Sequence, residues 1–547
     1  MPHRILPLET SRMRIAVLLA ALVSAVIVAV WAWLGQPVPM PATPLAAGEK
    51  MPCVSYAPFR PGQSPFIEGL VIPPEQIDDD FARLAKITHC VRTYSTEMGL
   101  DVVPAMARKH GLKVLQGMWI GRDEAKNRVE IDAAVKAAQQ NPDVIDAVIV
   151  GNEVLLRGEQ SSTGMAALIR EVKSKVPVPV TYADVWEFWE RNKELAQYVD
   201  FVTVHILPFW EDVPVAADKS AAHIGEIREH VGKVFGDKEI LIGETGWPSE
   251  GRMREGALPS PSNQAMVIQE LLALAKEKNY RLNVIEAFDQ PWKRASEGTV
   301  GGHWGFLDAY TRDFKFGWGE AVSDHPYWLR QAIVGIFLAL SVFVAGAIGG
   351  RGESMNTRRW LAVSGIALFS GLTIGRALVS VPVESLGVGG WLRGGSILAL
   401  AILVPLVAAF AVGRQARAVA LTQALDGASR RSAAPVERAM ALLLAASVVL
   451  IAHVALGLAF DPRYKDFQFA GLTPIIMAFA FYALVAPPRV TAEAAAAEKI
   501  AAAIFLGSGL YIAVNETVAN WQGLWTSALL VVMALSLWRL ATAAQTR

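Results

Sequence analysis

Cysteine is almost missing from this chain: Cys53 and Cys90 are the only two in 547 residues. At most one disulfide can form, and only in an oxidising compartment; the sequence favours two small buried apolar side chains instead. Net charge is missing as well, with 51 basic residues against 51 acidic. No basic field addresses a nucleic acid, and the excess of 41 acidic over 31 basic residues within 35–327 would repel a polyanion. There is no G-x-x-x-x-G-K-[ST] loop and no aspartate-rich polymerase motif, which sets aside ATP hydrolysis and synthesis from activated sugars. His205 has no second ligand at metal spacing, so neither a metal nor another cofactor is expected.

Long apolar runs are abundant. Residues 15–34 form one, behind Arg4, Arg12 and Arg14. It is long enough to span a bilayer, longer than the apolar core of a signal peptide, and no clear A-x-A cleavage site follows. The reading is a cytoplasmic basic N-terminus over 1–14 and an uncleaved anchor over 15–34. From Trp328 the composition turns to Ala, Leu, Val, Ile and Gly. About seven further spans are expected in 328–547, near 328–349, 360–380, 391–412, 439–460, 469–486, 499–515 and 523–541. Arg351, Arg358 and Arg359 fall in one intervening loop, and Arg414, Arg417, Arg430, Arg431 and Arg438 in another. Positive loops stay inside, which places residues 35–327 outside and both termini in the cytoplasm.

Residues 35–50 are Pro- and Ala-rich and read as a semi-extended spacer. Over 51–325, eight β-like runs begin near Cys53, His89, Lys113, Ala147, Val178, Phe201, Ile240 and Asn283. Amphipathic or charged stretches such as 75–87, 124–140, 164–175 and 263–278 lie between them. This alternation predicts an α/β fold, a (β/α)₈ barrel, followed by an α-helical polytopic membrane domain. Two runs stand out: VIVGNE at 148–153 and ILIGETGWPS at 240–249. Each is a branched apolar strand that delivers a glutamate at its C-terminal end, where a barrel places its active site. By strand count Glu153 closes the fourth strand and Glu244 the seventh. The other strand ends read Tyr56; Arg92 and Tyr94; Trp119; Asn152; Asp184; His205; and Asp289 with Gln290. Trp119, Trp186, Trp189, Trp210, Trp247 and Trp292 also follow strands, which suits stacking on the apolar faces of an uncharged sugar.

The sequence resembles glycoside hydrolase family 17. GETGWPS, GNEV at 151–154, VRTYS at 91–95, ADVW at 183–186 and FDQPWK at 288–293 carry the likeness, which is to the bacterial branch. The resemblance covers roughly residues 50–320 and implies a retaining mechanism, with Glu153 as general acid and then base and Glu244 as nucleophile. One carboxyl must begin protonated and the other ionised. Asn152 would bind the sugar 2-hydroxyl, and Tyr56, Arg92, Tyr94, Lys293, Asp184, His205, Asp289 and the tryptophans become candidate subsite or supporting groups. Arg92 reads equally as a structural ion-pair partner, Asp184 as a helix cap, and His205 as a support for the nucleophile.

Family 17 domains joined to membrane segments resemble proteins that make or remodel periplasmic and cyclic β-glucans, the rhizobial (1,3)/(1,6)-glucan synthesis proteins among them. That implies a β-1,3-glucan glucanosyltransferase in a bacterial inner membrane, with its barrel in the periplasm. The alternatives are an endo-β-1,3-glucanase and a glycan-binding component of an exporter. A β-glucan synthase or exporter is the partner the membrane half would meet. In that half, residues 371–375 have helix-packing spacing, and His453 is expected to hydrogen-bond a neighbouring helix.

Overall fold

The structure is a computed structural model that describes residues 7–350, 355–427, 431, 433–487 and 496–542. Arg4, Arg351 and Arg430 lie outside the described residues. The chain divides into two compact units, Pro37–Val322 and the combination of Met1–Gln36 with Ser323–Arg547.

The first unit is a closed parallel barrel of eight strands in sequence order. They are β1 (Val54–Ser55), β2 (Cys90–Arg92), β3 (Lys113–Met118), β4 (Ile145–Asn152), β5 (Val180–Val185), β6 (Val202–His205), β7 (Ile240–Thr245) and β8 (Arg281–Val284). Both faces are covered, so the strands are rich in branched apolar residues, and the polar ones they carry, such as Arg92, His205 and Glu244, are buried. Val148, Val150, Val202, Val204, Ile240 and Ile242 join the core under the helices. Leu115, Ala147, Ile149, Ala183, Phe201 and Leu241 form a second cluster with Cys53 and Cys90. Three of the helices start where a side chain satisfies their free N–H groups. Asp123 accepts from Ala125 and Lys126 at the head of Glu124–Gln140, and Ser161 accepts from Gly164 at the head of Ser162–Lys173. Ser260 accepts from Asn263 ahead of Pro261–Lys278, which opens on proline.

Two sequence expectations are corrected here. Cys53 and Cys90 are paired in a disulfide that joins neighbouring strands. They sit side by side because β1 and β2 pair in register, Val54 opposite Val91. The stretch expected as a spacer is laid against the barrel from Pro37 onward. Val38 bridges Val322, Met40 and Leu45 pack on the core, and Glu49 pairs with Lys276 at 2.7 Å.

The second unit is helical. Among the described residues seven helices are long and apolar enough to cross a membrane: Arg14–Leu34, Trp328–Gly349, Thr357–Glu384, Gly387–Gly413, Pro435–Phe460, Ala496–Asn515 and Trp521–Leu540. Phe469–Val485 is apolar but shorter. The glycine spacing at 371–375 does pack helices: a Cβ on Gly371 would lie 2.9 Å from the Gly335 carbonyl oxygen, and one on Gly375 2.6 Å from that of Gln331. His453 lies on the exposed side of Pro435–Phe460 and makes no hydrogen bond to the described residues, contrary to expectation.

Candidate active site

Both strands that carry the paired carboxylates contain an extra residue at their C-terminal ends. Along β4, Ile149 faces Thr181 and Asn152 faces Ala183, three steps against two. Along β7, Ile242 faces Leu282 and Thr245 faces Val284, again three against two. Such β-bulges break the alternation of side chains and re-aim whatever follows. Gly151 takes φ +84°, and Glu153 itself sits at φ 52°, a strained setting for a residue with a side chain. At Gly243 a Cβ would stand 2.4 Å from Thr203 Cγ2. Each glutamate is therefore aimed by the glycine ahead of it.

The result is a tight polar cluster. Glu153, His205 and Glu244 offer atoms that all lie within 4.8 Å of one another. His205 Nδ1 is 3.0 Å from Glu153 Oε1, and its Nε2 is 3.7 Å from Glu244 Oε1. His205 thus stands nearer to Glu153 than to the nucleophile candidate it was expected to support. Arg92 Nη1 donates to Glu244 Oε1 at 3.0 Å and to the Gly243 carbonyl at 2.7 Å, and its Nη2 donates to Asn152 Oδ1. Tyr94 Oη lies 2.9 Å from Glu244 Oε1 and 2.8 Å from Ser55 Oγ. Burial pushes the Glu244 carboxyl up, but His205, Arg92 and Lys293 outweigh it and hold its pKa below the ordinary value. Glu153 is more open, its side chain 24% exposed against 7% for Glu244. One glutamate is locked and charge-compensated; the other faces solvent. The three donors are close enough for a metal ion. Arg92, however, already fixes a positive charge 3.0 Å from the Glu244 oxygen and 3.4 Å from His205 Nε2.

Several of the candidate subsite or supporting groups are buried and held by protein partners. Tyr56 is buried and hydrogen-bonds Asp80 at 3.0 Å. Arg92 is 1% exposed and positions Glu244 and Asn152. Asp184 is buried, accepts from Val185 N at 2.8 Å and from Leu156 N at 3.4 Å, and so ties down the loop after β4. Burial raises its pKa to about 6. Asp289 is buried against Lys315 at 2.7 Å, and burial raises it to about 6 as well. Gln290 is buried, donating to the Ala57 carbonyl and accepting from Trp292. Lys293 contacts both oxygens of Glu286, at 2.9 and 3.0 Å.

The tryptophans divide. Trp189 and Trp247 are core residues, bonded to the carbonyls of Thr203 and Leu258. Trp119 is exposed and carries the Arg157 guanidinium over its ring at 4.2 Å. Trp186 reaches Glu211, Trp210 stacks on Trp304, and Trp292 stands edge-on to Phe59 and Phe66. Sequence reasoning passed over Arg157, Trp304 and Glu286. Glu286 had a visible signal: the run Asn283–Ile285 ends on it, much as the runs of β4 and β7 end on Glu153 and Glu244.

A closed eight-stranded barrel with two facing carboxylates at the ends of its fourth and seventh strands defines an enzyme-like domain of the glycoside hydrolase kind. A model of the BtgE/BtgC glycoside hydrolase domain matches residues 53–305, and the chain belongs to that family, of the glycoside hydrolase family 17 type. A glucan 1,3-beta-glucosidase of Arthroderma benhamiae is 30% identical over 47% of this chain and 90% of its own length. A probable glucan endo-1,3-beta-glucosidase of Aspergillus clavatus is 30% identical over 41% of this chain, which spans only 36% of that relative. The crystal structure of a family 17 beta-1,3-glucanosyltransferase from Rhizomucor miehei is 28% identical over 49% of this chain and 97% of that one, with a TM-score of 0.43. These relatives are fungal, which corrects the expected likeness to the bacterial branch while the family holds.

Proposed function

We propose that the barrel is a retaining β-glucan glucanosyltransferase. The observation that carries the retaining part of this reading is the convergence of Glu153 and Glu244, with oxygens no more than 4.8 Å apart. An inverting pair must leave room for water and stands about 6.5–9.5 Å apart, whereas a retaining pair stands about 5–5.5 Å apart. In this mechanism Glu153 protonates the glycosidic oxygen as the bond to the anomeric carbon breaks, and Glu244 forms the new bond to that carbon. An incoming hydroxyl then gives its proton to Glu153, attacks the anomeric carbon and releases Glu244. Arg92 and Tyr94 keep Glu244 ionised and aimed. The acidic excess of residues 35–327 suits a neutral chain, and the glucan 1,3-beta-glucosidase names of the relatives favour β-1,3-glucan.

The acceptor decides the product. Water gives hydrolysis, the reading the glucosidase names favour; a sugar hydroxyl gives transfer, in periplasmic or cyclic β-(1,3)/(1,6)-glucan synthesis or branching. Incubation of the full-length protein with laminaripentaose separates them. Products longer than the donor, or branched, support transfer; shortened reducing sugars alone overturn it. We also infer that the helical unit anchors the barrel on the periplasmic side of a bacterial inner membrane. The apolar helices, the arginines in alternate loops and the Cys53–Cys90 bridge support this placement. Protease added to spheroplasts should reach the barrel; protection of the barrel would overturn the orientation.

A further inference from the structure

Beside the paired carboxylates lies a buried ion pair that the double-displacement scheme does not use. Glu286 follows β8, is 1% exposed, and grips the Lys293 ammonium with both oxygens at 2.9 and 3.0 Å. Its backbone is held on both sides, since its N–H donates to the Trp304 carbonyl and its own carbonyl accepts from Phe306 N–H. Lys293 also acts electrostatically on Glu244 and Glu297, and Glu286 acts on Tyr94. One ammonium therefore grips the carboxylate at the end of β8 and acts electrostatically on two others, from β7 and from the helix Arg294–Gly301; the ends of β7 and β8 stay paired up to here, Ile285 N–H donating to the Thr245 carbonyl at 2.9 Å.

We propose that Glu286 is a positioning residue for the nucleophile, fixing Lys293 so that its single positive charge is divided between Glu286 and Glu244. This inference rests on the reading of Glu244 as nucleophile. Without Lys293 the site would hold Glu153, Glu244, Glu286 and Glu297 against Arg92 and His205. Like charges at such range raise one another's pKa, and a fixed cation lowers it. A neutral stand-in for Lys293 would leave Glu244 harder to ionise. A neutral stand-in for Glu286 would leave the ammonium undivided and Glu244 easier to ionise. Burial raises the pKa of Glu286 against the pull of Lys293 whereas that of Glu244 is lowered, so Glu286 loses its charge first as pH falls and its removal is the gentler change.

The test is the pH profile of kcat/KM with laminaripentaose, on full-length protein in detergent. Lys293→Met should move the acid limb up by about half a pH unit, and Glu286→Gln should move it down by about 0.2. Lys293→Arg, which keeps the charge, should leave the limb in place. A purely structural pair would lower activity or Tm in both variants without shifting the limb in opposite directions. An unmoved limb in Lys293→Met, or an upward shift in Glu286→Gln, overturns the proposal. If Lys293→Met does not fold, Glu286→Gln decides alone: a downward shift supports, any other result overturns. Glu244→Gln run alongside separates the two readings. If it remains active, the nucleophile assignment fails; if it is inactive and the limb stays fixed, only the role of Glu286 fails.

Discussion

Glycine does opposite work in the two units. In the barrel, Gly151 and Gly243 bulge two strands so that a carboxylate swings into a crowded polar pocket. In the helical unit, Gly335 and Gly371 let two helices touch: a Cβ on Gly335 would lie 2.1 Å from the Gly371 carbonyl oxygen. Polar side chains differ in the same way. Those of the barrel mouth bind one another across strands, as Arg92 does with Glu244 and Asn152. Many of those in the helices turn back on their own backbone: Ser364, Thr373, Thr473 and Ser536 each donate to the carbonyl four residues earlier. Chemistry needs charges that face each other with few alternatives. Packing in an apolar setting needs close backbones and no polar group left over.

That contrast can be broken or sharpened. The largest effect is expected from Glu153→Gln and Glu244→Gln, each lowering kcat/KM on laminari-oligosaccharides by about a thousandfold or more. Neither should alter the helical unit's resistance to protease in detergent. Arg92→Met comes next. It strands the buried Glu244 charge, and about 3–5 kcal/mol of barrel stability should be lost in a denaturant titration, with activity. Gly243→Ala should cost about 1–3 kcal/mol and an order of magnitude or more in kcat, since the new methyl meets Thr203 and His205. Gly335→Val should do the reverse, lowering the helical unit's Tm while kcat/KM at saturating detergent stays within about twofold. A helical lesion that abolished glucan chemistry would show that the two units are not separable.

The last test is the pH dependence of barrel stability. Asp184 and Asp289 have pKa values raised to about 6 by burial. Their contribution is full below the ordinary carboxylate range and is lost as pH rises through about 6. Glu244 is lowered, so its contribution is lost as pH falls below that range. Barrel Tm should therefore peak at about pH 4 and fall as pH rises through about 6; a steady rise to neutral pH would contradict these assignments.

Much of the fold was legible because hydrophobic period and helix caps are local. The strand expected from Lys113 begins there, and the helix expected over 124–140 runs Glu124–Gln140. The tryptophans were less legible. Trp210 and Trp247 occupy equivalent loops, yet only the packing of Phe209 and Trp304 around them decides which ring keeps a surface. Tyr56 stays ambiguous in the sequence for the same reason. A tyrosine at a strand end looks like a sugar contact until Asp80, from the next helix, claims its hydroxyl. The disulfide depended on strand register, which two isolated cysteines cannot reveal.

By itself the sequence determined that the chain builds a parallel barrel with a glutamate closing its fourth strand and another its seventh, beside a set of long apolar helices. Strict alternation could not place those glutamates. Counted from Leu241, which lies with Ala183 and Ile149 inside the barrel, Glu244 would turn outward with Ile242 toward the helices. Only the tertiary structure decided otherwise. The barrel closes on strands of unequal step, the surplus residue is taken up at Gly243 and beside Gly151, and the two carboxylates turn inward onto Arg92 and His205.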